Sequence, residues 1–312
     1  MNPEVNTVLT ELAPSAAPPI TQKTPAKVRK GSGFWFVVPF LIAFALFLLW
    51  PIVSGLWMSL TNQSLTGSGT GFTGLSNYAE ALGDAAVWQS LWNTAVFTIA
   101  TAAPLVVLSF VMAYLVYVGL PGQWLWRMSF FTPYLLPVSV VAALWQWMFQ
   151  PGFGLINSIL TQLGFAEIGF LDQQGVAMFS IVLVTIWWTV GFNFLLYLSA
   201  LQNIPDHVFE AAQLDGAGPW RRLVSIIVPM VNKTTVMIVM LQILASLKVF
   251  EQIYLLTSGG PRGSTRSVLE YIYDVGFSGY RLGYASAISY LFFALIVVVA
   301  VVQLRIMNRK EH

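Results

Sequence analysis

The side chains that could carry chemistry are few in this sequence. There is no cysteine, and the two histidines, His207 and His312, are far apart, so disulfides, thiolate chemistry and a histidine-based metal cluster are excluded. The acids of the predicted outer loops are scattered: Glu80, Asp84, Glu167 and Asp172. No G-x-x-x-x-G-K-[ST] phosphate-binding loop occurs. We therefore predict no catalytic residue, no metal site and no cofactor in this chain.

Charged residues, small residues and residues that begin or end helices occur together in the segment 201–226. Pro205 suits the first position of a helix, where Asp206 favours the positive helix end. Gly216 suits the left-handed position that ends a helix, and Pro219 can begin a second one. Pro229 then falls at the start of the next apolar run and is expected to bend it.

The first of these short helices has a face of mostly small residues. Helical spacing puts four residues on it: Val208, Ala211, Ala212 and Asp215. A helix this short is marginal alone in water, so it needs packing against its own chain or another protein. Asp215 has two readings, a partner contact or a cap on the amides of residues 218–220. Arg221 and Arg222 also suit lipid-headgroup anchors.

The elements that position this segment are membrane helices. The chain is 57% hydrophobic and 9% charged, against roughly 25% charged in a soluble domain. About 20 apolar residues span a bilayer as a helix, and continuous apolar runs are unlike the alternating pattern of a barrel. We predict an all-α membrane protein with six transmembrane helices. They lie near 34–58, 90–118, 127–149, 176–200, 227–250 and 283–306.

Lysine and arginine set the predicted orientation. Residues 1–30 are predicted to be a disordered cytoplasmic tail with a basic end, followed by a first membrane helix within 31–60. Arg127 directly follows the loop 119–126, and the loop 201–226 and the tail 307–312 carry further basic residues, whereas the loops 59–89 and 150–175 carry none. Both termini are therefore predicted to be cytoplasmic, although the basic residues of 251–282 break the rule. The net charge of +2 gives no indication of nucleic-acid binding.

The string in 201–226 resembles the EAA motif of bacterial ABC importer permeases. That motif is Glu-Ala-Ala, a glycine after three residues, and isoleucine and proline further on. Here it reads Glu210-Ala211-Ala212, Gly216, Ile226 and Pro229. The wider string NIP-x4-EAAQLDGAGPWRR and the later LTSGGP at 256–261 are similar to the carbohydrate branch, the maltose and glycerol-3-phosphate type. The resemblance covers about residues 34–306, with a mild departure at Glu251, where the family often has aspartate.

The resemblance implies a type I ABC importer permease fold over residues 87–306, in the bacterial plasma (inner) membrane. The loop 201–226 would form a coupling helix docked on a separate ATPase. The residues implied in coupling are Glu210, Ala211, Ala212, Asp215, Gly216 and Pro229. The implied partners are a second permease, two ATP-binding cassette subunits that use ATP and Mg, and an extracytoplasmic solute-binding protein. The implied cargo is a sugar or related polyol, with a glycerol-3-phosphate-like solute as the alternative.

Uncharged polar groups inside the spans are candidates for the translocation pathway. They are Gln146, Asn193, Gln242, Ser246, Ser286 and Ser289. A neutral polyol needs donors and acceptors, but each of these groups also suits a hydrogen bond between helices. Lys248 and Glu251 are three apart and are predicted to form a local pair.

Apolar membrane helices also occur in three other classes of protein. A self-contained carrier is disfavoured because no acid lies inside a predicted span and no inverted repeat is visible. A membrane enzyme lacks clustered acid and histidine residues. A membrane-embedded assembly partner without a pathway stays open.

Overall fold

The computed structural model describes residues 32–67 and 71–309. The predicted tail at 1–30 and the last residues, 310–312, lie outside the described residues. The chain divides into two compact units, one ending at Pro51 and one beginning at Ile52, and each is described by itself. The described residues form helices and connecting segments, with one isolated bridge between Thr61 and Phe72.

The first unit contains α1, Ser32–Phe44, and a π-helical turn, Ala45–Leu49. Nearly all of these side chains are apolar, and Pro39 lies inside the helix. Helix α2, Trp50–Ser59, starts at the end of this unit, and Trp35–Ser59 together are long and apolar enough to cross a membrane. The first predicted span is therefore present as a helix.

The second unit contains the other helices. Those up to residue 202 are α3 (Ser76–Gly83), α4 (Ala85–Val118), α5 (Gln123–Phe131), α6 (Val138–Phe149), α7 (Leu155–Gln162) and α8 (Val176–Gln202). The later ones are α9 (Asp206–Leu214), α10 (Pro219–Arg222), α11 (Val228–Met230), α12 (Asn232–Leu247), α13 (Glu251–Thr257), α14 (Val268–Tyr273) and α15 (Leu282–Arg309).

Four helices of the described residues are long and apolar enough to span a membrane, or up to six if each bent pair is one span. The third predicted span is α5 with a 3-10 turn and α6, bent by 99°. The break coincides with Pro137, which cannot donate the backbone hydrogen bond that would continue the helix. The prediction of an all-α membrane protein is confirmed, whereas the predicted unbroken third helix is wrong.

The fifth predicted span is also discontinuous. Helices α11 and α12 meet at Val231 with a bend of 62°, and α12 ends at Leu247 instead of continuing to 250. Lys248 and Glu251 therefore do not sit on one continuous helix. Within the described residues they form no ion pair at 4.0 Å or less, so the predicted local pair is wrong.

The centre of the second unit is the packing of α4 against α8. Several threonine hydroxyls within it are satisfied inside their own helix, as where Thr98 donates to the carbonyl of Thr94 and Thr185 to that of Ile181, both at 2.8 Å. Gly191 of α8 lies directly against the backbone of α5, where a Cβ would collide with the carbonyl oxygen of Phe130. Glycine is required there because two helices approach backbone to backbone.

A polar network joins the ends of α4 and α15 to α14. Asp84 caps α4 by accepting from the amide of Ala86 at 2.8 Å, and it accepts from the hydroxyls of Tyr271 and Tyr284 at 2.5 and 2.8 Å. Burial alone raises the pKa of Asp84, but these hydrogen bonds outweigh it and hold that pKa below its usual value. Burial, together with the hydrogen bond to Asp84, raises the pKa of Tyr271 to about 12.

Glu270 of α14 is buried beside this network, with 1% of its surface exposed. Its Oε2 has no hydrogen-bond partner among the residues that the structure describes. Burial, and then the charge of Asp274, raises the pKa of Glu270 to about 7. A carboxyl that is neutral up to about pH 7 costs less to bury than a charged one.

Candidate coupling surface and translocation pathway

Helix α9 is bounded by the residues that the sequence marked. Pro205 is extended and occupies the N-cap, one position before the predicted one, and Asp206 lies in the first turn. Gly216 has a φ of +69° and ends the helix, as predicted. Pro219 begins α10. The backbone preferences of these proline and glycine residues therefore determine where α9 begins and ends.

Helix α9 is held against the end of α4 by one side. The ring of Phe209 lies 6.2 Å from that of Tyr117, and Ala212 is only 6% exposed. The amide of Ala217 donates to the carbonyl of Ala212 at 2.9 Å. Arg222 Nε donates to the carbonyl of Ala217 at 2.7 Å, which ties the exit of α9 to α10. Arg222 therefore has a structural role inside the loop.

The other side of this segment is open. The coupling surface is defined here by six exposed residues: Glu210, Ala211, Leu214, Asp215, Gly216 and Trp220. Leu214 is 90% exposed and Trp220 76% exposed, although both are large and apolar. Sequence reasoning missed these two; large apolar residues in a loop predicted to face water were the available signal.

The structure separates the predicted coupling residues into two groups. Glu210, Ala211, Asp215 and Gly216 lie on the coupling surface, whereas Ala212 lies beneath it, facing its own chain. No amide at residues 218–220 donates to Asp215 among the described residues, so the capping interpretation is wrong. A partner contact of Asp215 stays a prediction.

Pro229 lies where the fifth span is bent. It follows a π-helical turn, Leu223–Ile227, and precedes the 62° bend at Val231. A proline and a π-helical turn are both ordinary causes of a sharp kink. The predicted bend is confirmed, and it lies between the coupling surface and α12.

Three candidate pathway residues form a chain of hydrogen bonds between helices. Asn193 Nδ2 donates to Gln242 Oε1, and Gln242 Nε2 donates to Ser246 Oγ, both at 3.2 Å. Ser246 Oγ lies 3.0 Å from Thr101 Oγ1. Asn193 and Ser246 are buried, at 2% and 4% exposure, so this chain joins α4, α8 and α12. Its contact with a solute stays a prediction.

The other three candidate pathway residues do not join this chain of hydrogen bonds. Gln146 donates to the carbonyl of Leu255 at 2.7 Å and lines a separate cavity of about 350 Å³ with Gln150 and Asp172. Ser289 donates to the carbonyl of Ala285 within α15 at 2.8 Å, and Ser286 is half-buried. The six residues therefore occupy at least three places.

Comparisons with known proteins agree with this architecture. The chain matches the family described as "Binding-protein-dependent transport system inner membrane component" over residues 105–311. It is 33% identical over 278 residues to the sn-glycerol-3-phosphate transport system permease protein UgpA of Yersinia pestis, covering 89% of this chain and 94% of that one. It is also 33% identical over 276 residues to the sulfoquinovosyl glycerol transport system permease protein SmoG of Agrobacterium fabrum, covering 88% and 90%.

A solved structure shares the fold. A chain in the crystal structure of a bacterial ABC transporter involved in the import of the acidic polysaccharide alginate superposes with a TM-score of 0.80. The identity is 22%, and the match covers 88% of this chain and 94% of that one. The predicted permease fold is confirmed, and the relatives of similar length establish the family. The chain belongs to the family of binding-protein-dependent transport system inner membrane components.

Proposed function

We propose that this chain is the membrane-spanning permease subunit of an ATP-driven importer that translocates a sugar or related polyol. The observation that carries the proposal is the coupling surface, a folded helix with exposed apolar and acidic side chains between the fourth and fifth spans. Leu214 and Trp220 expose large apolar area where a protein partner can cover it. The partner we propose is an ATP-binding cassette subunit.

The sequence supports an energy source in a separate subunit. This sequence has no G-x-x-x-x-G-K-[ST] loop, and we propose that partner subunits use ATP and Mg. We propose that two such subunits, a second related permease and an extracytoplasmic solute-binding protein complete the transporter. Both termini and the coupling surface lie on the cytoplasmic side in this proposal, in accordance with the positive-inside rule.

The contacts of α9 suggest how a movement would be transmitted. Phe209 packs on Tyr117 at the end of α4, and α4 reaches α12 through Thr101 and Ser246. A push on α9 would therefore move α4 and α12 together as packed helices instead of bending a free loop. Such rigid movement of one bundle against another is the usual basis of alternating access.

The names of the relatives support a polyol as the cargo. One relative is named for sn-glycerol 3-phosphate and another for sulfoquinovosyl glycerol. A solute like glycerol 3-phosphate is thus the alternative to a neutral sugar. Both classes need hydroxyl recognition by uncharged donors and acceptors.

The proposal is tested by Gly216→Leu and Glu210→Ala in the assembled transporter. Gly216 has a positive φ that leucine adopts poorly, so the exit of α9 should distort; Glu210→Ala removes an exposed charge. We expect each variant to insert normally and to lose most ATP-driven uptake. Glu167→Ala, an exposed glutamate elsewhere, is the matched control and should transport normally.

The readouts are uptake, co-purification of the ATPase and solute-stimulated ATP hydrolysis. If both variants keep the ATPase bound and its hydrolysis stimulated by solute, α9 is not the docking element. If the wild-type chain never co-purifies with an ATPase and shows no ATP-driven uptake, the proposed function itself is refuted.

A further inference from the structure

The segment between α12 and α13 lines a cavity. Helix α12 ends at Leu247 and α13 begins at Glu251, so residues 248–250 leave helical geometry. Non-helical backbone at membrane depth is tolerated only where it is buried in protein or lines a water-filled cavity. A cavity of about 220 Å³ lies at this break, with Val138, Trp188, Lys248 and Gln252 among its lining residues.

The cavity lies about halfway along α8. The Asn193–Gln242 hydrogen bond sets the register of α8 and α12, which run in opposite directions as successive spans. Trp188 precedes Asn193 on α8, and the end of α12 follows Gln242. Because the two helices are antiparallel, Trp188 lies beside the end of α12. Trp188 lies roughly 18 Å from the Val176 end of α8 at 1.5 Å per residue. Val138 lies at the break of the third span, which is also near its middle.

Lys248 brings a charge to this depth. Its side chain is exposed in the isolated chain, and it has no carboxylate within 4.0 Å among the described residues. Glu251 lines the same cavity but lies in the first turn of α13, where a carboxylate favours the positive helix end. A charged side chain at membrane depth is costly, so lysines there face a water-filled path and mark ion or solute sites.

We propose that Lys248 binds a negatively charged group of the transported solute, and that the solute is an anionic polyol. The proposal rests on the proposed function and selects the anionic class within it. An ammonium is a compact charge that suits a phosphate, sulfonate or carboxylate group. Gln252 supplies an amide beside it, and the N-terminal end of α6 at Val138 adds a positive helix end without a side-chain cap.

The cavity, of about 220 Å³, is partly open in the isolated chain, so its volume sets no limit on the size of the solute. In this proposal Lys248 determines specificity through its charge.

The test uses the complete transporter in proteoliposomes with its solute-binding protein. Uptake is measured for anionic solutes (sn-glycerol 3-phosphate, glucose 6-phosphate and glucuronate) and for neutral ones (glycerol, glucose and maltose). The variants are Lys248→Gln and Lys248→Arg, and Lys233→Gln at the other end of α12 is the matched control. Membrane levels are equalised by immunoblot, and Lys248→Met replaces any Lys248→Gln chain that fails to insert.

We expect the wild-type transporter to import an anionic solute. Lys248→Gln should raise its KM at least tenfold, with Lys248→Arg within threefold and Lys233→Gln within twofold of wild type. ATP hydrolysis without solute should be unchanged in all variants. Import of neutral solutes alone, or an unchanged KM for the anionic solute in Lys248→Gln, would overturn the proposal and leave the importer function standing. Absence of ATP-driven uptake of every solute by the wild type would instead refute the proposed function.

Discussion

Among the four acids of the predicted outer loops, Asp84 should contribute most to the stability of the folded chain. One carboxylate oxygen caps α4 through the amide of Ala86, and the other accepts hydroxyls from Tyr271 and Tyr284. The side chain therefore joins the start of α4 to α14 and to the start of α15. Asp84→Ala removes all three hydrogen bonds, and Asp84→Asn keeps an acceptor oxygen.

The expected magnitude follows from these contacts. Loss of an N-cap costs about 1 kcal/mol, and each hydrogen bond to a charged group about 1.5–3 kcal/mol. The three share one partly exposed carboxylate and do not add fully, so we expect about 3 kcal/mol for Asp84→Ala and about 1 kcal/mol for Asp84→Asn. For a chain of this size, 3 kcal/mol is a fall in melting temperature of roughly 5–10 °C.

The assay is thermal unfolding of the detergent-solubilised chain, followed by size-exclusion chromatography. Glu167→Ala, an exposed acid elsewhere, is the control and should stay within about 1 °C of wild type. The folded pKa of Asp84 is lowered, so its contribution is present above its unfolded value of 3.8 and is lost as the pH falls through the folded pKa. The deficit of Asp84→Ala should therefore be constant from pH 5 to 8. A fall of less than 2 °C would show that the network is not stabilising.

Three further predictions concern packing and charge. Gly191→Ala should lower the free energy of unfolding by about 3 kcal/mol or more, because the added Cβ collides with the backbone of α5. A Cβ added at Gly83 has no described atom within 4 Å, so Gly83→Ala should be near neutral in the same assay. The pKa of Glu270 is raised from 4.5 to about 7 in the folded state. Between these two pH values the folded chain holds a proton on Glu270 that the unfolded chain has lost. The free energy of unfolding should therefore fall as the pH rises from about 4.5 to 7. Glu270→Gln should remove this dependence and stabilise the chain by about 2–3 kcal/mol at pH 8, with Glu167→Gln as the control. Arg281→Ala should cost less than about 1 kcal/mol, because its ion pair is about half exposed; a loss above 2 kcal/mol would contradict this.

Local features of the sequence predicted much of this structure. Uncharged apolar runs located the spans because the cost of unpaired backbone in lipid leaves helices as the solution. Gly216 located the end of α9 because its positive φ is readily adopted only by glycine. These features depend on neighbouring residues alone, so one sequence suffices to find them.

Features that depend on packing were not predictable. Ala211 and Ala212 are adjacent and alike, yet only Ala212 faces the chain, because the contact of Phe209 with Tyr117 sets the rotation of α9. The pairing of Lys248 with Glu251 assumed a continuous helix, and the break after Leu247 separates them. The exposure of Leu214 and Trp220 likewise depends on how the loop folds back on α4.

The most direct test of the account is a site-specific cross-link from the coupling surface. The chain has no cysteine, so Leu214→Cys and, on a different loop, the control Leu163→Cys each carry a single thiol; both leucines are well exposed. In the native membrane assembly, a short cross-linker with one thiol-reactive end and one photoreactive end should join Leu214→Cys to an ATP-binding subunit, with a yield that changes when ATP is added, and should not join Leu163→Cys to it. If Leu214→Cys reaches no ATP-binding subunit in any nucleotide state while transport continues, the coupling surface does not receive the force of ATP hydrolysis.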